Sequence, residues 1–244
     1  MTGKTALVTG AGRGLGLAVA DALAKAGATV YGTSRDETTA QRVADRYGTV
    51  PLVVEMTDIP SIRRAIARLV DRSGGVDYLV NNAGVNVPKP AVDVTEADWD
   101  AVQDTNLKGA FFVSTELARA WLATSRPGCA IVNIASQAGI VAIEERAAYG
   151  TSKAGLIHLT KVLALEWAPA GVRVNAVAPT FVRTELTAST LSRPDWAAEL
   201  LSRIPLGRFG APGDIVSAVL FMLDDAASLL TGHTMAIDGG YTIR

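Results

Sequence analysis

"TALVTGAGRGLG", residues 5–16, decides how the chain is read. Its first half is a short apolar run of strand character; its second half breaks into glycines and passes into a helical pattern. Gly10, Gly14 and Gly16 permit a tight turn and a close approach of backbone to a ligand. A helix opening at that turn points free N–H groups and the positive end of its dipole beyond the first strand, which suits a pyrophosphate. A ligand-free turn has the same letters, so the assignment rests on the strand–turn–helix context. The spacing, G-x-x-x-G-x-G, differs from the G-x-G-x-x-G of the commonest dinucleotide fold.

Working outward, the alternation repeats. Strands are expected at 5–10, 28–34, 49–55, 76–82, 129–136, 172–178 and 233–238, and the early ones are nearly all apolar, as for a parallel sheet covered on both faces. Between them lie helical patterns: 15–26, closed by Gly27; a stretch to about residue 123 opened by a Thr95/Asp98 capping box; and 147–168. This is the pattern of a single α/β domain over residues 1–244, a Rossmann-type doubly wound parallel sheet of about seven strands with helices on both faces. Residues 180–212, with Pro194, Pro205 and Pro212, read as a short helical lid over the strand ends.

Composition narrows the function. The 244 residues are 49% hydrophobic and 19% charged, with a net charge of −1, so neither nucleic acid nor membrane surface has electrostatic support as a partner. No apolar run has the length of a membrane span, and the N-terminus passes straight into glycines with no signal-peptide core. A lone cysteine, Cys129, sits in an apolar strand as an inert thiol and suits a reducing cytoplasm. His158 and His233 lack metal-ligand spacing and are expected to pack; no metal is expected. Trp99, Trp121, Trp167 and Trp196 are read as helix-packing residues.

"AYGTSKAG" (147–154) places Tyr149 and Lys153 one helical turn apart. Alone, such a pair is more often packing with a snorkelling amine than catalysis. Together, "TGAGRGLG" (9–16), "NNAG" (81–84), Asn106 in "DTNLKG", Ser136 in "NIAS", "YGTSK" (149–153), "VRVNAVAPT" (172–180) and "IDGG" (237–240) occur in an order that resembles the short-chain dehydrogenase/reductase family over essentially the whole chain.

The resemblance implies an NAD(P)(H)-dependent oxidoreductase that interconverts a secondary alcohol and a ketone by hydride transfer. Its catalytic residues would be Asn106, Ser136, Tyr149 and Lys153. Tyr149 would act as acid and base, its pKa lowered by the Lys153 ammonium. Lys153 would also bond the nicotinamide ribose, Ser136 would hold the substrate oxygen, and Asn106 would hold a water that relays protons from Lys153. The cofactor would contact Gly10, Arg13, Gly14, Leu15 and Gly16; Ser34 and Arg35 after the second strand; Glu55 and Met56 after the third; and Asn82, Ala83 and Gly84 after the fourth. Pro179, Thr180, Val182 and Thr184 would join Tyr149 and Lys153 on the nicotinamide side. Arg13 and Arg35, with no carboxylate at the discriminating position, favour NADP(H); Asp36, one residue later, keeps NAD(H) open. Glu55 stands where the family usually has aspartate.

Ser136, Gln137, Tyr149, Asn86 and Glu144 are the expected substrate contacts. With Lys89, Glu145 and Arg146 they make the pocket segments polar, which favours a small sugar, sugar acid or polyol. A 3-oxoacyl-carrier-protein reductase is the alternative, with Arg183, Arg193, Arg203 and Arg208 as a basic dock. A non-catalytic NADP-binding sensor or scaffold is the reading from another class. The resemblance also implies a homo-oligomer, a tetramer, assembled through the fourth and fifth helices and the C-terminal region.

Overall fold

The computed structural model describes residues 1–243. Strand β1 (Thr5–Val8) lies inside the sheet, with β2 (Thr29–Ser34) and then β3 (Leu52–Val53) on one side of it. On the other side follow β4 (Tyr78–Asn81), β5 (Ala130–Ile134), β6 (Arg173–Pro179) and β7 (Thr234–Ile237). All seven are parallel, in the order β3-β2-β1-β4-β5-β6-β7, and Leu7 registers against both Tyr31 and Leu79. β3 is much shorter than the expected 49–55: Pro51 has no N–H to donate, and the strand lies at the sheet edge.

The uninterrupted apolar strands are explained by burial on both faces. Ala6, Val8, Tyr78 and Val132 pack under α1 (Gly14–Lys25) and α9 (Pro212–Leu223) through Val19, Leu23, Ile215 and Val219. The alternate residues Leu7, Leu79, Ile131 and Val174 pack on the other face against Ile62 and Leu69 of α3 (Ile59–Ser73), Leu117 and Trp121 of α5 (Gly109–Thr124), and Leu163 of α6 (Ala147–Trp167). Several polar side chains in this interior pair with one another. Asn81 Nδ2 donates to Asn133 Oδ1 (2.8 Å) and Ser114 Oγ (2.9 Å), and Asn133 Nδ2 donates to Thr160 Oγ1 (2.9 Å), tying β4, β5, α5 and α6 together.

Local signals match the helix ends. Gly27, just past α1, has φ +89°. Asp36 caps α2 (Glu37–Tyr47), and α4 (Glu96–Gln103) opens with the Thr95/Asp98 capping box. α4 runs through a π-helical turn, Asp104–Lys108, into α5. Two short helices, α7 (Ala188–Leu191) and α8 (Pro194–Ser202), form the lid.

Both histidines depart from expectation: His158 and His233 are exposed rather than packed, the first on the outer face of α6. Trp121 and Trp167 are buried, Trp121 donating to Val76 O (2.7 Å), while Trp99 is exposed. Trp196 lies in the lid between the guanidinium groups of Arg193 and Arg203. No helix among the described residues is long and apolar enough to cross a membrane.

Cys129 is fully buried, and burial pushes its thiol up to about 12. A thiol reagent therefore leaves the native protein unlabelled and titrates one cysteine after denaturation. Ile131→Ala, at a fully buried central position, lowers unfolding stability in a urea titration by about 2–5 kcal/mol.

Candidate active site

The chain leaves β1 toward one face of the sheet and β4 toward the other, which opens a crevice beyond their C-terminal ends. The loop from β1 is fixed by its neighbours. Gly10 N–H donates to Thr33 Oγ1 (3.2 Å), and Asn82 Nδ2 donates to Thr9 O (2.9 Å) and Gly10 O (3.2 Å). Gly14 has φ +55°, and a Cβ at Gly16 would collide with the Asn82 amide and Gly10 O, so no larger residue fits this approach. Arg13 occupies the N-cap of α1 without a side-chain cap bond, which leaves the helix N-terminus available to an anion.

A cleft of about 470 Å³ runs from this loop across the crevice. One end carries Ser34, Arg35, Thr39 and Arg42 beside Arg13. Asp36 is there too, but both its oxygens are engaged. Oδ1 accepts from Thr39 N–H (2.7 Å) and Oδ2 from Ser34 Oγ (3.1 Å), bonds that hold its carboxyl below the usual range. The donor set thus fits a dinucleotide, and three cations at this end fit an additional phosphate. Arg42 escaped the sequence reading. Its signal is helical spacing: it falls one turn after Thr39 on α2. Glu55 is corrected: the wall is made by Val54 and Met56, while Glu55 Oε1 accepts from Thr57 N–H (3.2 Å) and Oγ1 (3.1 Å). Leu15, Ala83, Gly84, Pro179, Thr180, Val182 and Thr184 all line the cleft.

Its other end brings Ser136, Tyr149 and Lys153 together. Ser136 follows β5 and accepts from Ala138 N–H (3.1 Å), and it also hydrogen-bonds Tyr149. Lys153 is buried on α6, donates to Ile134 O (2.7 Å), and lies 5.7 Å from the Tyr149 ring centroid. Burial pushes its pKa down to about 8. The Tyr149 phenol is raised rather than lowered: burial outweighs the opposing effects of the Ser136 hydrogen bond and the Arg146 charge. Desolvation of the ring, rather than attraction to Lys153, sets its resting state, which is the neutral acid.

Asn106 stands behind these three in the π-turn. Its Oδ1 accepts from Val85 N–H (2.8 Å), and its Nδ2 donates to Val85 O (2.9 Å) and Ser152 Oγ (3.0 Å). Ser152 Oγ in turn donates to Tyr149 O (2.7 Å). The expected water-holding role is not carried by its amide donors, which are both committed. The side chain instead clamps the Gly84–Val85 segment to α6, and a side chain at Gly84 would press on Asn106 Oδ1.

Beyond Ser136 and Tyr149 opens a small side pocket of about 50 Å³, which Asn86, Gln137 and Arg146 reach and which Phe181 and Leu186 close from the lid side. Glu144 is corrected: it is 60% exposed at its side chain and pairs with Arg203 (3.0 Å). The four lid arginines have partners within the chain. Arg193 pairs with Glu145, Arg203 with Glu144 and Glu199, Arg208 with Asp214, and Arg183 lies over the Phe209 ring.

Comparison with known proteins agrees with this geometry. Residues 10–242 match the family model described as enoyl-(acyl carrier protein) reductase. The chain is 38% identical over 246 residues to an NAD-dependent glycerol dehydrogenase of Listeria innocua, covering all of this chain and 96% of that one. It is 40% identical over 248 residues to a 3-oxoacyl-(acyl-carrier-protein) reductase of Thermotoga maritima, covering 100% and 99%. Among solved structures it resembles a gluconate 5-dehydrogenase of Burkholderia cenocepacia in complex with NADP and tartrate, with a TM-score of 0.94, 32% identity, and coverage of 100% and 97%. The chain belongs to the short-chain dehydrogenase/reductase family and is an oxidoreductase acting on alcohols.

The two shifted groups set a pH dependence. Reduction needs the neutral phenol as proton donor beside the ammonium, and oxidation needs a proton acceptor. Ketone reduction is therefore expected to fall as pH rises past about 8, where Lys153 loses its proton, while the raised Tyr149 phenol keeps its own through that range. Initial rates in both directions between pH 6 and pH 10, a window of about two units either side of that value, check this.

Proposed function

We propose that the protein is an NADP(H)-preferring dehydrogenase/reductase that interconverts a secondary alcohol and a ketone on a sugar, sugar acid or polyol. The observation that carries the reading is that Ser136 and Tyr149 form the wall shared by the nucleotide cleft and the polar side pocket. A nicotinamide bound in the cleft supplies or accepts the hydride. Gly10, Gly14 and Gly16 with the N-terminus of α1 hold its pyrophosphate, and Arg13, Arg35 and Arg42 hold a 2′-phosphate. Tyr149 gives its proton to the carbonyl oxygen, Ser136 donates a hydrogen bond to the same oxygen as charge builds there, and Lys153 favours the phenolate left behind. Asn106 keeps the Gly84–Val85 segment and α6 in register beneath them.

Relatives divide between polyol and carrier-protein substrates, as the glycerol dehydrogenase and the 3-oxoacyl reductase illustrate. Here the pairing of three lid arginines with carboxylates leaves little free cation to dock an acidic carrier, which supports the sugar side. The tartrate bound to the gluconate 5-dehydrogenase relative supports it as well. A homotetramer through α5 and α6 is the proposed assembly, supported by the exposure of Leu122 (47%) and Leu165 (79%) on those helices. A cytoplasmic location is supported by the buried, unpaired Cys129.

Following NADPH oxidation with ketoses, keto-sugar acids and acetoacetyl-thioester, with NADH as control, tests the reading; turnover of the thioester alone would transfer the chain to acyl reduction. Tyr149→Phe lowers turnover about 100-fold or more. Arg35→Ala reduces the ratio of NADPH to NADH efficiency by about 10-fold or more, the value of a charge-assisted bond to phosphate. An unchanged ratio would place the cofactor discrimination elsewhere.

A further inference from the structure

Arg146 immediately precedes α6, three residues before Tyr149, and is only 6% exposed. The preceding residue, Glu145, takes a left-handed backbone conformation (φ +60°) that a side chain rarely adopts. Its carboxylate pairs with Arg193 (3.1 Å) and not with Arg146. Arg146 Nη1 donates to Glu145 O (3.0 Å) and Nη2 to Thr190 Oγ1 (3.0 Å), and among the described residues it makes no ion pair. Two of its five N–H donors are thereby used, and Arg146 and its partner Thr190 both line the side pocket.

This placement is unfavourable for a residue of merely structural value. A buried charge without a counter-charge is costly, and a cation at a helix N-terminus adds to the positive end of the dipole. Both penalties become gains when an anion enters, because the guanidinium fork and the helix terminus then act on the same charge. The rest of the pocket is equally unfinished. Gln137 is 1% exposed with neither end of its amide partnered, and Asn86 Oδ1 and Thr180 Oγ1 are also buried without partners. Buried polar atoms are almost always bonded, and these converge with Arg146 on one pocket beside the reacting phenol.

We propose that Arg146 is the carboxylate-binding residue of the side pocket, with Gln137, Asn86 and Thr180 engaging neighbouring hydroxyls, so that the substrate is a small hydroxy or keto acid. This narrows the function proposed above and rests on it. The small volume suits a carboxylate and its adjoining carbon rather than a long acyl chain, and a planar fork suits two carboxylate oxygens.

The test compares 5-keto-D-gluconate with L-sorbose, which differ only in carboxylate against hydroxymethyl. Their reduction is followed with NADPH and with NADH for the native chain, Arg146→Gln and Arg146→Lys. The expected result is a preference for the acid in the native chain. The ratio of kcat/KM for acid over neutral ketone then falls about 100-fold in Arg146→Gln, chiefly through KM, and is partly restored in Arg146→Lys. A ratio that the substitutions do not move overturns the proposal, as does a preference of the native chain for a phosphorylated ketose over the keto acid.

A second measurement needs no variant: tartrate should inhibit the native protein competitively against whichever ketone it reduces, and threitol, its neutral counterpart, should not. Equal inhibition by the two overturns the proposal. If neither six-carbon ketone is reduced but the thioester is, the sugar reading fails on its own, and tartrate inhibition of thioester reduction still reads Arg146. Melting curves and NADPH fluorescence titrations of the variants separate a lost anion site from a lost fold.

Discussion

The site depends on one side-chain amide. Neighbouring strands β1 and β4 send their chains to opposite faces of the sheet, and their backbone ladder ends at the bond from Thr9 N–H to Val80 O (3.0 Å). Asn82 spans the two departing loops, donating to Thr9 O and Gly10 O, while its own N–H and that of Ala83 donate to Thr9 Oγ1 (2.9 and 3.0 Å). The position of the amide explains why Gly16 has room only for hydrogen, and the distance of closest approach at the start of α1 follows from it. The glycines give the loop its freedom; the asparagine removes the surplus.

Much of this was legible in the sequence, for definable reasons. Strands buried on both faces lose polar alternation, so their apolar runs announce a parallel sheet, and caps such as Thr95/Asp98 depend on residues three apart. The phosphate loop and the Tyr149–Lys153 pair are likewise local. The readings that failed depend on partners distant in the chain or on solvent exposure. Glu144 looked like a substrate contact until Arg203, 59 residues away, claimed it. Glu55 lies one position from the cleft wall, and in a segment that leaves an edge strand that is enough to turn it toward Thr57. The reverse holds for Arg146: nothing in "IEERAAYG" distinguishes it from its charged neighbours until burial does.

Electrostatically, the reacting end of the cleft has one sign. Lys153 and Arg146 are both buried beside Tyr149, and no carboxylate among the described residues is buried with them. Neither cation draws the phenol below its ordinary value in this surrounding, because desolvation of the ring is the larger effect. The arrangement keeps a proton on the tyrosine and a positive field around it, so negative charge that develops on a substrate oxygen meets both.

The π-turn at Asp104–Lys108 has a consequence for how the molecule can change over time. One extra residue per turn rotates everything after it by about 100° relative to an unbroken α-helix. The rod from Glu96 to Thr124 therefore has two independent orientations: α4 and the turn lie against α6, where Asn106 reaches Ser152, and α5 lies against α3 and the sheet. Substitutions along the outer face of α5 act on a surface decoupled from the catalytic register. Change on the outer face of α5 can therefore accumulate without moving the asparagine that clamps the Gly84–Val85 segment to α6.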